Sequence, residues 1–266
     1  MTIFSNNVFA GKHALVTGAT GGIGRATARL LAQMGAAVTI TGRKEELLAQ
    51  VKREILEQRV DARVVAIRAD VTNEEERKTL VEQAERHAGP ITLLVNNAGA
   101  FEYAFMEDVT QESMERLMNI NYTSVVLLTQ KIYAGMKRLG EGAIVNVSSL
   151  SGLRGVPGGT AYCASKFALI GFTHSLALEA ISHGVRVNAV CPGYVDTAMG
   201  HDVISSSASA VGVSVEQRWK QVNSGIPSGK ITQPEEVANT IAYLLSDAAV
   251  NLVGESLKIS GGALLR

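Results

Sequence analysis

The sequence predicts an α/β fold in which a parallel β-sheet is covered by helices on both faces. Short apolar segments alternate strictly with longer segments of helical periodicity, and the apolar segments lack the polar alternation of half-exposed strands. Strands that are buried on both faces have this pattern, and they occur in parallel sheets. No linker, repeat or low-complexity tract divides the 266 residues, so we expect a single domain over residues 1–266.

Strands are predicted where short apolar or β-branched segments lie between turn residues. The first of them, HALV, ends in a glycine-rich turn, and the second, VTIT, is rich in β-branched residues. The strands are expected at residues 13–16, 38–41, 64–67, 93–95, 143–147, 185–190 and 257–259.

Helices are predicted where apolar residues recur every three or four positions. In EELLAQVKREILEQ, the side chains of Leu48, Val51 and Ile55 share one face. Thr72 and Asn73 are candidate N-caps of the third helix, and a proline opens the last one. The helices are expected at residues 22–34, 45–58, 73–88, 111–138, 161–183 and 233–245.

The segment HDVISSSASAVGVSVEQRWK, residues 201–220, interrupts the alternation of strands and helices. It is rich in serine and contains the only tryptophan of the chain. We expect a mobile flap here, because long loops in compact domains are usually functional or disordered. The alternative is a solvated loop that leads into an ordinary helix.

The composition argues against several classes of protein. Lys and Arg together number 25, as do Asp and Glu, so the formal net charge is zero and neither a nucleic-acid-binding surface nor a polybasic membrane patch is expected. Two cysteines are too few for a disulfide framework, and the five histidines have no ligand spacing, so no metal site is predicted. The N-terminus lacks the features of a signal peptide, and no apolar run is long enough to span a membrane. A cytoplasmic protein is therefore expected.

The glycine-rich turn TGATGGIG lies between the first strand and the first helix. Gly18, Gly22 and Gly24 would let backbone N–H groups approach a pyrophosphate, and the helix N-terminus adds a partial positive charge. A turn at this place indicates a dinucleotide site, although any tight turn favours glycine.

The residues after the second strand bear on the choice of dinucleotide. An acid at this point would bind the ribose 2′-hydroxyl of NAD, but the sequence has Arg43 and Lys44 and no acid. Because a guanidinium can bind a phosphate through two hydrogen bonds, Arg43 favours NADP(H) over NAD(H). The alternative is that both charges are the solvated start of the next helix.

Tyr162 and Lys166 lie four residues apart at the start of the helix at 161–183, which places both on one helix face. A phenol has a pKa near 10, and a neighbouring ammonium lowers the pKa and makes the phenol a better acid–base group. The pair therefore indicates a proton donor, Tyr162, whose pKa is lowered by Lys166. The alternative is a surface tyrosine packed on a lysine stem.

Together the motifs resemble those of the short-chain dehydrogenase/reductase family over essentially the whole chain. They follow one another in the family's order, and Ser149 precedes Tyr162 by the family's usual 13 residues. The motifs are TGATGGIG at 17–24, Asp70-Val71, Asn96-Asn97-Ala98-Gly99, Asn121 in NINYTS, Ser149 in IVNVSS, Tyr162 and Lys166 in YCASK, and Pro192-Gly193 followed by Thr197.

The resemblance implies a Rossmann-type, doubly wound fold with a seven-stranded parallel sheet, and hydride transfer between a nicotinamide and a carbonyl or alcohol. It implies that Tyr162 is the general acid/base and that Lys166 also holds the nicotinamide ribose. It further implies that Ser149 donates a hydrogen bond to the substrate oxygen, and that Asn121 orders a water that relays protons to Lys166. The cofactor contacts it implies are Gly18, Thr20, Gly22, Ile23, Gly24, Arg43, Asp70, Val71, Asn97, Ala98, Gly99, Tyr162, Lys166, Pro192, Gly193, Val195 and Thr197.

The sequence departs from the family pattern at two positions. Gly21 stands where NADP-preferring relatives often carry a basic residue, so the expected NADP preference depends on Arg43 alone. Near the C-terminus the chain has Ser260-Gly261-Gly262 instead of the frequent Asp-Gly-Gly, a change to which we attach no function.

The expected substrate is a small ketone, of the β-keto acyl or polyketide type and possibly linked as a thioester. We expect the pocket walls at residues 100–103 and 150–155 and at Tyr194, Arg154 as the one candidate to bind a carboxylate, and residues 200–225 as a lid. The alternatives are an alcohol or 3-hydroxy acid dehydrogenase that works oxidatively, and a non-catalytic NADP-binding regulator. The long helices at 111–138 and 161–183 carry excess apolar surface, which the resemblance assigns to a homodimer or homotetramer interface.

Overall fold

The computed structural model describes residues 7–265, which are organised around a seven-stranded sheet of parallel strands. The strands are β1 (His13–Thr17), β2 (Ala37–Gly42), β3 (Val64–Arg68), β4 (Leu93–Asn96), β5 (Gly142–Val147), β6 (Val185–Pro192) and β7 (Ser256–Ile259). Their order across the sheet is β3-β2-β1-β4-β5-β6-β7. The order reverses between β1 and β4, and a crevice at the carboxyl ends of the strands forms at such a reversal.

Nine helices of at least eight residues lie among residues 7–265. They are α1 (Gly22–Gln33), α2 (Glu45–Gln58), α3 (Glu74–Ala88), α4 (Gln111–Met118), α5 (Ser124–Leu139), α6 (Thr160–Ala180), α7 (Ala198–Val211), α8 (Val215–Gly225) and α9 (Pro234–Leu245). No helix in this part of the chain is both long enough and apolar enough to cross a lipid bilayer.

Helices pack on both faces of the sheet, each through its own apolar cluster. On one face Leu31 of α1 and Ile241 of α9 are fully buried in the same cluster as the side chains of β1 and β2. On the other face Leu80 of α3, Leu128 of α5 and Leu176 of α6 are buried against the sheet. Burial of each such side chain contributes about 2 kcal/mol. The predicted doubly wound α/β fold with seven parallel strands is therefore confirmed.

The single helix expected at residues 111–138 is interrupted. A π turn, Asn119–Thr123, separates α4 from α5. Its central residue, Asn121, is completely buried and forms hydrogen bonds with both backbone groups of Ala100. A π turn fits an extra residue into a helix and is frequent at functional sites. Apolar periodicity continues through such a turn, which is why the sequence pattern did not reveal it.

Residues 201–220 are not a loop, and their movement as a flap or lid stays a prediction. The segment forms most of α7 and α8, which we call the helical cap (residues 198–225). Gly212, at φ +70°, ends α7, and Ser214 begins α8 with a capping box that includes Gln217. Ile204 of α7 and Val222 of α8 are buried in one shared apolar cluster. These apolar contacts stabilise a helix pair in spite of its many serines.

The other element boundaries agree with the predictions to within a few residues. Asn73 is the N-cap of α3, and its side chain accepts a hydrogen bond from the backbone N–H of Glu76 at 3.0 Å. Strand β6 continues two residues past the predicted end, to Pro192. The predicted helix at 161–183 ends in a 3₁₀ turn, Ile181–His183.

Buried polar side chains connect the central strands to the helices that carry the site. Asn96 of β4 donates to Thr129 Oγ1 of α5 and to Asn146 Oδ1 of β5, each at 2.9 Å. Asn146 in turn donates to Thr173 Oγ1 of α6 at 2.9 Å. Because a buried amide without partners is costly, this network favours one fixed register of α5 and α6 on the sheet.

Candidate active site

A cavity of about 800 Å³ lies at the carboxyl ends of the central strands, where the strand order reverses. The glycine-rich turn, the segment after β4, the segment after β5 and the helical cap all contribute to its walls. A single crevice thus contains both the expected dinucleotide site and the expected substrate site.

The glycine-rich turn is packed so closely that side chains are excluded at three positions. Gly18 has φ +61°, and a Cβ there would lie 2.9 Å from Cα of Ala98. A Cβ on Gly22 would collide with the side chain of Thr197, and one on Gly24 with the carbonyl oxygen of Gly18. Gly18 and Gly22 line the cavity, whereas Gly24 lies behind the wall and serves the packing of α1 on the turn.

Thr17 joins the glycine-rich turn to the segment after β4. Its Oγ1 accepts hydrogen bonds from the backbone N–H groups of Asn97, at 2.9 Å, and Ala98, at 3.0 Å. The side-chain amide of Asn97 donates to the carbonyl oxygens of Thr17 and Gly18. The two predicted cofactor motifs therefore form one continuous wall, and Gly99 extends it towards Lys166.

Arg43, Asp70 and Val71 lie together at one end of the cavity, as the resemblance implies. The side chain of Arg43 is exposed and follows β2. Burial alone would raise the pKa of Asp70, but two hydrogen bonds from Thr72 and the charges of Arg43 and Arg68 hold that pKa below its usual value. The carboxylate of Asp70 stays ionised near neutral pH, and the described residues place no other carboxylate on the cavity wall.

Ser149, Tyr162 and Lys166 are brought together at the other end. Ser149 follows β5, and its hydroxyl forms a hydrogen bond with the hydroxyl of Tyr162, which lies in the first turn of α6. Lys166 follows one turn later and is buried, and its Nζ donates to the carbonyl oxygen of Val147 at 2.9 Å. Nζ also lies 5.7 Å from the centre of the Tyr162 ring.

The pKa values of this pair differ from the expectation. Burial raises the pKa of Tyr162 to about 12, although its hydrogen bond with Ser149 acts in the opposite direction. Burial also lowers the pKa of Lys166 to about 8. The expected lowering of the phenol pKa is not produced by the groups of the chain, because desolvation is the largest effect and outweighs the hydrogen bond with Ser149. Tyr162 consequently holds its proton across the neutral pH range.

Asn121 does not reach the cavity. Its Oδ1 accepts from the backbone N–H of Ala100 at 2.8 Å, and its Nδ2 donates to the carbonyl oxygen of Ala100 and to Ser165 Oγ, both at 2.9 Å. Ser165 Oγ donates to the carbonyl oxygen of Tyr162 at 2.7 Å. The side chain thus fixes the segment after Gly99 relative to the first turn of α6, and the water relay through Asn121 stays a prediction.

The remaining predicted cofactor residues also line the cavity. Pro192, Gly193, Val195 and Thr197 follow one another along its wall, from the end of β6 onwards. Thr197 is the N-cap of α7 and accepts from the N–H of Gly200 at 3.1 Å. The helical cap therefore begins directly at the expected cofactor site. Thr20 and Ile23 complete the predicted set in the glycine-rich turn.

Aromatic side chains form much of the wall near Tyr162. The ring of Phe101 meets that of Tyr162 edge to face, with centroids 4.9 Å apart. Tyr103, Phe105 and Tyr194 also line this part of the cavity. Residues 100–103, 150–155 and Tyr194 were predicted as walls, and all three regions contribute to them.

Several lining residues were missed from the sequence. Phe105 lies just beyond the predicted wall, and Val203, Ser207 and Arg218 belong to the helical cap. The three cap residues lie within the predicted lid, residues 200–225, but none of them was named individually because residues 201–220 were interpreted as a flap without helices. The apolar spacing of Ile204, Ala208 and Val211, with Gly212 after it, is the signal that could have identified α7.

Comparison with known proteins decides the family. The sequence pattern of the short chain dehydrogenase family matches residues 12–208. The chain belongs to the short-chain dehydrogenase/reductase family. As a member of it, the protein is an oxidoreductase that uses a nicotinamide cofactor and acts on alcohol or keto groups.

Relatives within the short-chain dehydrogenase/reductase family include ketoacyl reductases. A Streptomyces virginiae protein named as the ketoacyl reductase of monensin polyketide synthase is 39% identical over 257 residues, covering 94% of this chain and 95% of the relative. The 3-oxoacyl-(acyl-carrier-protein) reductase of Thermotoga maritima is 38% identical over 258 residues, covering 96% and 98%. The solved structure of a variant of actinorhodin polyketide ketoreductase with NADPH has a TM-score of 0.91 and 35% identity, covering 95% and 97%.

The residues of this chain fit a dinucleotide cofactor. Gly18, Gly21 and Gly22 expose backbone on the cavity wall, and α1 begins at Gly22, so the N–H groups of its first turn lie beside the cavity. Arg43 at one end and Lys166 at the other supply positive charges along the same wall. The arrangement can hold an extended anionic molecule with one end beside Tyr162.

Proposed function

We propose that the protein reduces a ketone to a secondary alcohol with NADPH, and that the ketone is a β-keto acyl or polyketide-type compound. The observation that carries this proposal is the position of Tyr162 and Ser149, which share a hydrogen bond on the wall of the cavity that begins at the glycine-rich turn. The similarity to ketoacyl reductases of the same family supports it.

In the proposed mechanism the chain supplies orientation and a proton. The reduced nicotinamide, when bound, supplies the hydride. Ser149 donates a hydrogen bond to the ketone oxygen and stabilises the negative charge that develops there. Tyr162, which keeps its proton at neutral pH, transfers that proton from its hydroxyl to the same oxygen. Lys166, buried beside the ring, stabilises the resulting phenolate through its positive charge.

The preference for NADPH is proposed on the basis of Arg43. Its exposed guanidinium lines the cavity and forms no ion pair with a carboxylate among residues 7–265. A guanidinium in this state can bind a ribose 2′-phosphate through two hydrogen bonds. The position after β2 that would hold an acid in an NAD-specific site is Arg43 itself.

The substrate class is proposed from the walls around Tyr162. Aromatic rings on one side and the apolar side chains of Met199 and Val203 of the helical cap on the other suit a largely apolar molecule. The possibility that the substrate is joined to a carrier as a thioester is supported by the name of the Thermotoga maritima relative, a 3-oxoacyl-(acyl-carrier-protein) reductase.

The first experiment compares NADPH and NADH oxidation by the pure protein with β-keto thioesters, cyclic ketones and diketones. We expect turnover of a β-keto thioester, with kcat/KM for NADPH at least ~10-fold above that for NADH, since a charge-assisted bond to the 2′-phosphate is worth about 1.5–3 kcal/mol. Turnover with NADH alone, or with no thioester, would contradict the proposal and favour an oxidative alcohol dehydrogenase.

The role of Arg43 is tested by the variant Arg43→Ala beside the matched control Lys44→Ala. Lys44 is also exposed and is the next residue in the chain, but it does not line the cavity. We expect Arg43→Ala to raise KM for NADPH by ~10- to 100-fold and to leave KM for NADH nearly unchanged, because only NADPH carries the 2′-phosphate. Equal effects of the two variants would disprove the role of Arg43.

A further inference from the structure

The charged side chains on the cavity wall are divided unevenly between its two ends. Among the described residues that line it, the charged ones are Arg43, Asp70, Arg154, Lys166 and Arg218. Asp70, the acid of this set, lies beside Arg43. Arg154 and Arg218 therefore face the cavity without a carboxylate from the described wall near them.

Arg218 of α8 is held in place by neutral partners. Its Nε donates to Ser207 Oγ of α7 at 3.1 Å, and its Nη1 donates to Gln221 Oε1 at 3.2 Å. Ser207 is buried, and its own hydroxyl donates to the carbonyl oxygen of Ile204 at 2.9 Å, which fixes its orientation. Within residues 7–265 the Nη2 of Arg218 has no hydrogen-bond partner and the guanidinium has no ion pair.

The acid on α8 does not neutralise Arg218. Glu216 forms an ion pair with Lys220, at 3.1 Å, and both of these side chains are more than 70% exposed. Arg218 itself is only partly exposed. A half-buried guanidinium that is oriented but has no counterion is ready to bind an anion with its remaining N–H groups.

Arg218 lies away from the expected pyrophosphate site. The contact between Gly22 and Thr197 places the start of α7 at the glycine-rich turn. Ser207 lies ten residues further on, which is about 15 Å along a helix. Arg218 therefore lies in the part of the cavity where we expect the substrate, and not beside the expected pyrophosphate.

We propose that Arg218 binds an anionic group, a carboxylate or a phosphate, which the substrate carries in addition to its ketone. The inference rests on the proposed function in that the bound molecule is a ketone. Arg154 adds a second positive charge to the cavity wall, and its Nη1 donates to the carbonyl oxygen of Ala263 at 3.2 Å. The fork of N–H groups on Arg218 suits the planar or tetrahedral oxygens of either anion.

The test compares charged and uncharged ketones in Arg218→Met and in the control Lys220→Met. Lys220 is on the same helix but does not line the cavity. One pair of substrates is 4-oxocyclohexanecarboxylate and its methyl ester, and the other is acetoacetyl-CoA and the N-acetylcysteamine thioester of acetoacetate. The first pair tests a carboxylate and the second a phosphate.

We expect Arg218→Met to lower kcat/KM at least ~10-fold for the charged member of one pair, mainly through KM, since a charge-assisted hydrogen bond is lost. In Arg218→Met, kcat/KM for the uncharged member and KM for NADPH should change by less than ~2-fold. Lys220→Met should leave kcat/KM for both members of each pair and KM for NADPH unchanged. Equal losses for the charged and uncharged members would show that Arg218 supports only the packing of the helical cap, and a raised KM for NADPH would assign it to the cofactor. Either result overturns the proposal.

Two milder variants keep the proposal testable if Arg218→Met prevents the helical cap from folding. Arg218→Lys keeps the charge but loses the fork of donors, and Ser207→Ala removes the partner that orients Nε. Both should weaken discrimination between charged and uncharged ketones by less than Arg218→Met does. Full discrimination in all three variants overturns the proposal.

Binding can be measured without turnover, because Trp219 is the only tryptophan and is the neighbour of Arg218. Titration with cyclohexanecarboxylate and with inorganic phosphate should change its fluorescence saturably for at least one anion in the wild type and in Lys220→Met, but not in Arg218→Met. No saturable change in the wild type would overturn the anion site. If the wild type shows a saturable change in fluorescence but reduces no ketone, the proposed function is rejected and the anion site at Arg218 is retained.

Discussion

The phenol of Tyr162 is held by contacts on both of its sides. Its hydroxyl is hydrogen-bonded to Ser149, its ring packs against the edge of Phe101, and the Lys166 amine lies near the ring face. Phe101 limits the access of water to the ring, and burial raises the pKa of the phenol to about 12. The residue is thereby arranged to donate a proton and to recover it afterwards.

The variant Tyr162→Phe tests this proton transfer. We expect kcat for ketone reduction to fall by ~10³-fold, because general acid catalysis contributes about 10²- to 10⁴-fold. The Kd for NADPH, measured by nucleotide fluorescence, should stay within ~2-fold. Tyr243→Phe removes the same atom from α9, outside the cavity wall, and should leave kcat unchanged. Normal turnover in Tyr162→Phe would eliminate the mechanism.

His13 of β1 makes the stability of the fold depend on pH. Its ring is buried between the carbonyl oxygen of Gly89, at 2.7 Å, and Thr39 Oγ1, at 2.9 Å. Burial lowers the pKa of His13 below its usual value. As the pH falls, the unfolded chain therefore binds this proton before the folded chain does, and the folded state loses stability.

We expect the free energy of unfolding to be lower at pH 5 than at pH 7.5, and the part due to His13 to be ~1 kcal/mol. Urea denaturation of wild type and His13→Gln at both pH values measures this part. The pH dependence should be smaller in His13→Gln, since glutamine does not titrate. An identical pH dependence in the two proteins would exclude His13 as its source.

The sequence was sufficient to predict which side chains of the proposed catalytic site lie together. Ser149, Tyr162 and Lys166 have a fixed spacing that the fold converts into contact, and the structure brings all three together. The groups of the chain raise the pKa of Tyr162, whereas a lowered pKa was predicted, because burial depends on neighbours such as Phe101 that are distant in the sequence. Arg218 was missed for the same reason, since its role depends on a contact with Ser207 of another helix.

At the scale of elements, the π turn at Asn119–Thr123 shows how an element can serve the site without touching it. It directs the Asn121 side chain to the backbone of Ala100 and to Ser165, which in turn contacts the backbone of Tyr162. The segment that carries Phe101 and the first turn of α6 are thus held at a fixed separation. Asn121 is in this respect a positioning residue.

The variant Asn121→Ala should lower kcat by ~10-fold or more and leave KM for NADPH nearly unchanged, because the glycine-rich turn is not disturbed; misplacement of a reacting group costs up to about 10²-fold. The thermal unfolding midpoint should also fall, since buried polar groups lose their partners. Asn119→Ala, at a more accessible position of the same turn, is the control and should change neither quantity. A fall in stability with unchanged kcat would limit Asn121 to a structural role.

Periodicity identified the strands and the helices that pack on the sheet. It failed where a helix is stabilised by something other than the sheet. The buried side chains of the helical cap, Ile204 and Val222, pack on each other and on Ile226 and Ile231, which follow the cap. Few of its residues are buried and apolar, and its many serines were therefore interpreted as a loop. At residues 111–138 the periodicity predicted one helix, whereas the structure has α4, a π turn and α5. The prediction missed the turn because buried positions recur at helical spacing on both sides of it.

At the scale of the whole molecule, apolar side chains remain exposed on α5 and α6. Leu127, Phe167 and Leu178 are 36%, 47% and 78% exposed, and Ile181 just after α6 is 42% exposed. Large exposed apolar residues that cluster on a surface indicate an interface. We therefore expect a homodimer or a homotetramer.

Light scattering with size-exclusion chromatography measures the assembly directly. The wild type should have at least twice the mass of the 28.2 kDa chain. Leu178→Lys should shift the equilibrium towards smaller species, because a charge would be buried in the interface. Val60→Lys is the control, since Val60 is 90% exposed and precedes β3 on another part of the surface. A monomeric wild type would contradict the expectation.

The topology was the most predictable property of the molecule. Alternation of buried strands and helices restricts the chain to a parallel, doubly wound sheet, and right-handed crossovers leave few other arrangements. The volume and charge of the cavity could not be predicted in the same way. The volume and charge of the cavity depend on how the helical cap packs against the carboxyl ends of the strands, and the spacing of apolar residues in the sequence does not predict that packing.

The helical cap occupies one unbroken stretch of chain between β6 and α9, residues 198–225. It supplies one side of the substrate space, whereas the glycine-rich turn and the sheet supply the cofactor side. One wall of the proposed substrate space is therefore built from a single short module, and Phe101, Tyr103 and Phe105 contribute to another. Mutations within this module can change which substrates bind while Ser149, Tyr162 and Lys166 stay unchanged. A new substrate specificity can therefore evolve without any change in the residues proposed to carry the reaction.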